Sequence, residues 1–198
     1  MQQEQVKQLE CEIRTFAVTN YILGKLRKHG IYDITNLKLQ KVLYLAYALH
    51  LCLYNEDLFK SPIHAWQIGP VVPNIYKEFK GFGRTPITRK ASILKDNNTG
   101  EVWFPELPKH FEKRALIVAC TAHGEEIAWN LVDIIHGENS AWKKNYVDGK
   151  NHIIIPKEDI YAELQDKLSG IASYLYQPTW TSQVVVKLNN YFHRIPCV

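Results

Sequence analysis

The residues of this 198-residue chain best suited to chemistry lie in one short run, His136-Gly137-Glu138-Asn139-Ser140-Ala141-Trp142-Lys143. A histidine that can take a proton and a serine four residues on are the ingredients of a base-activated nucleophile. The setting argues against that use, because no Gly-x-Ser-x-Gly elbow surrounds Ser140 to present its hydroxyl. His-x-Glu occurs at His123/Glu125 and at His136/Glu138, as in zinc deaminases, but the Pro-Cys-x-x-Cys partner segment is missing, and so is any His-Glu-x-x-His. Helix capping and core packing account for these side chains, so no catalytic residue, metal or cofactor is expected.

A second group, Lys38, Gln40 and Lys41, falls in the first turns of an apolar helix. Their polarity could meet a partner, or a phosphate drawn to the helix N-terminus. Equally, it could satisfy carbonyls of a nearby loop, since buried backbone groups must find hydrogen bonds. The loop in question contains Trp66, Gly69, Pro70 and, a little further on, Tyr76. Aromatic residues beside a rigid extended segment make good interface anchors. In the alternative, Trp66 packs in the core, Gly69-Pro70 fixes a turn and the Tyr76 hydroxyl holds it.

Composition narrows the partners. Twenty-four basic and 20 acidic residues leave a formal charge of +4 spread along the chain. Nucleic-acid binders concentrate their charge on one face, and no helix-turn-helix with a basic recognition helix is visible, so nucleic acid is not an expected partner. The densest basic stretch, Lys25-Leu26-Arg27-Lys28-His29, fits a helix C-terminus, where cations complement the dipole. Cys11, Cys52, Cys120 and Cys197 form no CxxC pair and are expected to be free thiols. Met1-Gln2-Gln3-Glu4-Gln5 begins no signal peptide, which places the chain in a reducing cytoplasm. The apolar run from Val42 to Tyr54 contains His50 and falls short of the roughly 20 apolar residues of a membrane span. It is expected to be a buried helix, with no membrane partner.

The elements that must position these residues follow from periodicity. Val6, Leu9, Ile13, Phe16, Ala17, Tyr21, Leu23 and Leu26 form one face of a helix over residues 6–28, ended by Gly30. Thr35 or Asn36 caps the central helix that follows. Pro62 to Pro73 is extended and then bent, and Asn74 to Phe79 is a short helix closed by Gly81-Phe82-Gly83. Thr88–Leu94 and Glu101–Phe104 flank a turn at Asn97-Asn98-Thr99-Gly100 and make the only strand pair expected. Helices are expected from Pro108 to Ala122, Glu126 to His136 and Pro156 to about Tyr176. In the tail, Val184–Val186 suit a strand and Lys187–Phe192 a helix, and the choice stays open. The expected fold is mainly α (α+β): a single helical domain around a buried central helix, with a small β-hairpin.

The string from Ile34 through Lys38, Gln40 and Lys41 to Tyr44, then Leu58-Phe59, then Ala65-Trp66-Gln67-Ile68-Gly69-Pro70-Val71-Val72-Pro73-Asn74-Ile75-Tyr76-Lys77-Glu78-Phe79, resembles the Panacea antitoxin domain of SocA-like and GepA-like phage-associated proteins. The run His136, Ser140, Trp142, Lys143 resembles the family's C-terminal signature, with Ala141 where many relatives carry proline. The resemblance covers residues 14–168 and implies a mainly helical fold with a small β element. It also implies an antitoxin that neutralises a cognate protein toxin, encoded next to it, by direct binding; in some members the antitoxin delivers the toxin to a cytoplasmic protease. Residues 1–176 are expected to form the Panacea-like domain and residues 177–198 a C-terminal extension, either packed on it or touching the partner. The expected partner-binding or signature set is Lys38, Gln40, Lys41, Trp66, Gly69, Pro70, Val71, Tyr76, His136, Ser140, Trp142 and Lys143.

Overall fold

A computed structural model describes residues 2–95, 99–111 and 113–168. The first helix, α1 (Gln2–Lys28), begins earlier than the periodicity indicates. It ends in a Schellman-type turn: the Ile31 amide donates to Leu26 O at 3.1 Å while Gly30 takes the left-handed conformation, φ 79°. Its buried polar residues are all spoken for. Thr15 and Thr19 donate back to the carbonyls of Cys11 and Thr15, both at 2.8 Å. Asn20 donates to the carbonyls of Ala91 and Pro105 and accepts from the Ala91 amide, tying α1 to the segment that crosses it.

Thr35 caps α2 (Asn36–Tyr54), its hydroxyl accepting from the Lys38 amide at 3.2 Å, and Asn55 ends the helix in the left-handed region. From Lys38 to Leu51 every residue of α2 is buried, as befits a helix surrounded by others. Around it pack α1, α3 (Pro73–Phe79), α4 (Arg114–His123), α5 (Ala128–Ile135) and α7 (Lys157–Leu168), with α4 making the broadest contact. The mainly helical architecture around a buried central helix is therefore as expected. Among the described residues no helix is long and apolar enough to cross a membrane.

The expectation of a single strand pair needs correction. The bent segment after Pro62 is itself a hairpin, β1 (His64–Trp66) with β2 (Gly69–Val71), in the register His64↔Val71, Ala65↔Pro70 and Trp66↔Gly69. Proline is tolerated because Ala65 and Pro70 are not hydrogen-bonded to each other: the Ala65 amide donates outward, to Ile153 O at 2.8 Å, where residues 153–155 line the other edge of β1. The expected hairpin shrinks to β3 (Ile93–Leu94) with β4 (Val102–Trp103). Its earlier residues are diverted to helices, the Ala91 amide to Asn20 of α1 and the Ser92 amide to Glu78 of α3.

Two helices start later than expected, α4 at Arg114 and α5 at Ala128, and a short one, α6 (Ala141–Asn145), was not anticipated. Before α4 the chain turns instead, with the Phe111 amide on Pro108 O and the Lys113 ammonium on the carbonyls of Pro108, Lys109 and Phe111. The tip of the β3–β4 turn at 96–98, the end of the last expected helix and the tail at 177–198 lie outside the described residues. Cys11, Cys52 and Cys120 are free thiols, and burial pushes Cys52 and Cys120 up to about 12, which leaves them inert near neutrality. Cys197 lies outside the described residues.

Helix α4 closes against α1 through Gly124. A β-carbon there would stand 2.3 Å from Cys120 O, 2.7 Å from Leu26 Cδ2 and 2.8 Å from Ile31 Cδ1. Gly124→Ala is expected to destabilise the fold by about 1–3 kcal/mol through overpacking. Gly81→Ala, where nothing lies within 4 Å, should stay within about 0.5 kcal/mol of wild type. Urea midpoints compare the two, and equal midpoints would refute this account of the α1–α4 contact.

Candidate functional site

Most of the singled-out residues converge on the β1–β2 hairpin, which lies against the first half of α2. A two-residue turn with Gly69 at φ 87° directs carbonyls of the hairpin toward the helix. Lys41, fully buried, donates from Nζ to the carbonyls of Ile68 and, at 3.2 Å, Pro70. One helical position earlier, Gln40 Oε1 accepts from the Val72 amide at 2.8 Å, so it holds the strand exit that Lys41 does not reach. Gln40 is oriented in turn by Asn36, which accepts from Gln40 Nε2 at 3.2 Å and donates to Tyr76 O at 3.1 Å. Three side chains at the start of α2 thus hold the hairpin and the first turn of α3.

Gly69 is required here for two reasons. Its left-handed conformation strains any other residue. A β-carbon would also come within 2.7 Å of Lys41 Nζ and 3.1 Å of His136 Nε2, so both nitrogens crowd the space a side chain would need. His136, just after α5, stacks flat on Trp142 of α6, with ring centroids 3.6 Å apart and planes 4° from parallel. Trp142 stacks on Tyr146 at 4.8 Å and donates its indole N–H to Trp66 O at 2.7 Å, which fastens α6 to the hairpin. Trp66 is half-buried and meets the ring of Tyr76 edge-on at 4.9 Å. Tyr76 holds the neighbourhood through its ring and backbone carbonyl, whereas one of the two sequence readings assigned it a hydroxyl contact to the turn. Val71 is buried in β2.

Ser140 is buried and caps α6, its hydroxyl accepting from the Lys143 amide at 3.1 Å. Among the described residues no hydrogen bond joins it to His136, and the histidine face is occupied by Trp142. Lys143 is exposed, and Lys38 points elsewhere: its stem is buried and its ammonium meets Asp33 at 3.1 Å. Among the described residues no cluster of three or more metal-ligating side chains forms.

Two residues that matter here escaped the sequence reading. Asn36 was seen only as a candidate cap, though an amide four residues before another on a buried face was a usable signal. Glu163 of α7 accepts from the Tyr44 hydroxyl at 2.9 Å and from the Ala141 amide at 2.8 Å, joining α2, α6 and α7. Nothing in the order of residues relates position 163 to 44 or 141.

Burial lowers the Lys41 amine to about 7. Burial first, then the nearby Lys41 and Lys143 charges, lower His136 to about 4, with Asp133 opposing. A neutral amine still has hydrogens for its carbonyls, so the clamp survives deprotonation. Between the folded value of Lys41 and the ordinary lysine value of 10.5, the unfolded chain binds more protons than the folded one, so stability rises with pH. Wild type should therefore gain about 2 kcal/mol from pH 7 to pH 9 relative to Lys41→Met, as read from paired urea titrations. A difference that stays flat over that window would refute a depressed Lys41. The same reasoning for His136 puts a loss of stability below about pH 6.5, progressing as pH falls through its folded value.

The comparisons with known proteins match this assembly. A family described as "Antitoxin SocA-like, Panacea domain" matches residues 39–143, just over half of the chain, from the buried half of α2 through the hairpin to α6. A curated relative, "Antitoxin SocA" of Caulobacter vibrioides (strain NA1000 / CB15N), is 31% identical over 131 residues, 64% of this chain. That similarity spans 66% of the relative's own length. No solved structure matches. With more than half of its length matched, from α2 to α6, the chain belongs to the SocA-like Panacea antitoxin family.

Proposed function

We propose that this protein is an antitoxin that neutralises a cognate protein toxin, encoded beside it, by direct binding in the cytoplasm and without enzymatic turnover. The observation that carries the proposal is the family match over the hairpin and its clamps. Its geometry supports a binding role. The signature side chains are spent on holding the hairpin, and what the hairpin presents outward is a turn, Gln67-Ile68, with Ile68 42% exposed beside the Trp66–Tyr76 pair. An aliphatic tip on a pre-ordered turn loses little entropy on docking, which favours affinity. His136 and Ser140, the residues that invited a hydrolase, are taken up by stacking and capping.

Co-expression with each neighbouring gene tests this. One neighbour is expected to be toxic alone, to be tolerated with this chain, and to co-purify with it in a fixed ratio. Ile68→Asp and Lys143→Glu should each weaken the complex by roughly tenfold or more if they lie at its centre, with thermal melting unchanged. No toxic neighbour, or a toxic one that never binds, would sink the proposal. Delivery to a protease would show as a shortened toxin half-life in the presence of this chain, whereas occlusion leaves the half-life unchanged.

A further inference from the structure

Away from the hairpin, the C-terminal half of α1 lines a cavity of about 380 Å³ with the segment at 106–107 and Lys113. Ala17, Tyr21 and Leu107 give it apolar walls, and Lys25, Lys28, Lys90 and Lys113 stand around it against, among the described residues, one acidic side chain, Glu106. Glu106 is committed to Lys90 at 3.1 Å, and the Lys113 ammonium is pinned by three backbone carbonyls. Among the described residues no carboxylate pairs with Lys25 or Lys28. Proximity to the helix C-terminus accounts for their sign. It does not account for Gly24, which lines the same cavity inside α1. Glycine there costs helix stability relative to alanine, and a β-carbon would meet nothing within 4 Å. No packing within the described chain calls for glycine at this position, and its effect is to leave bare helix backbone at the floor of a cationic groove.

We infer that this groove is a docking site for an acidic segment of the partner protein, a stretch rich in Asp and Glu lying over Gly24 between the lysines. Lysines on flexible stems suit several carboxylates along a peptide. A clamped phosphate would call for arginine forks, and among the described lining residues there is none; the N-terminus of α4, capped by Lys113, adds positive potential at the same rim, which suits carboxylates of a peptide as well. The inference rests on the antitoxin reading for the identity of the partner, but not for the chemistry of the groove.

The test uses the full chain and a fluorescein-labelled decaglutamate peptide, followed by anisotropy. Binding is expected at about 0.01 M salt and should weaken markedly at about 0.15 M, where screening shortens the reach of the lysines. Lys25→Glu with Lys28→Glu should reduce affinity by about tenfold or more, well beyond the control pair Lys144→Glu with Lys150→Glu, which alters net charge equally on another surface. Gly24→Leu should also reduce affinity while thermal stability holds or rises, a combination that a merely structural glycine would not give. Absence of binding at low salt, equal loss in the control pair, or ATP or inorganic phosphate binding more tightly than the peptide would overturn the groove as an acidic-peptide site. Toxin rescue by the same variants separates the two proposals. If wild type rescues no neighbour, the antitoxin reading fails and the peptide data still decide the groove. If wild type and both groove variants rescue equally, the toxin does not use the groove and the inference fails.

Discussion

One buried amine settles where the β1–β2 hairpin can lie. The turn after Trp66 needs a left-handed glycine followed by proline, and such a turn directs carbonyls inward with no strand beside them to donate. Unpaired, each would cost on the order of 1–3 kcal/mol once removed from water. Lys41 answers both from the most buried helix of the fold, and its burial is itself a cost that only those carbonyls offset. Helix and hairpin are thus conditional on each other. A lysine facing this core is tolerable because the carbonyls are there, and the carbonyls are tolerable because the lysine is.

The rest of the signature follows from that constraint. With Lys41 committed to the tip, Gln40 takes the strand exit and Asn36 orients Gln40, so polarity on the first turns of α2 is consumed in a chain of hydrogen bonds. His136 can approach Gly69 only if it is neutral, because a second cation beside Lys41 would repel it, and the lowered value of the imidazole agrees. The neutral ring then stacks on Trp142, whose indole N–H reaches Trp66 O. In this way α5 and α6, distant in sequence, come to share one small strand pair with α2.

Much of this order was legible from local pattern. Thr35, one of two candidate caps, and the burial of α2 follow from spacing and side-chain type and are found, and α3 begins at Pro73, one residue before the helix expected from Asn74. What was not legible depends on partners far along the chain. The amides of Ala91 and Ser92 looked like strand amides until Asn20 and Glu78 claimed them. Pro62 to Pro73 read as extended and then bent, but its pairing into β1 and β2 depends on residues 153–155, to which the Ala65 amide donates. Capping was one of the roles assigned to the group around Ser140, but α6 itself was not foreseen: it is a single short turn whose N-terminus is completed by Glu163 from a helix later in the chain. The site shows the same division: glycine, proline and the α2 polar residues announce a loop to be satisfied, while the stack of His136 on Trp142 is purely tertiary.

A signature spent on scaffolding has a consequence for recognition. The residues that hold the hairpin and α6, Lys41, Gln40, Gly69 and Trp142, are buried, which leaves the outward-facing side chains of those elements free of that duty. Ile68 can change without disturbing the clamp, since Lys41 holds its backbone carbonyl and not its side chain. The lysines at the end of α1 are likewise unconstrained by the core. A fold built this way can keep its interior while the side chains of its exposed tip and of the cationic rim on α1 change. Variation between members should therefore concentrate at such positions, because a change at Lys41 or Gly69 strands a buried polar group or strains the turn, whereas a change at Ile68 alters only what a partner meets.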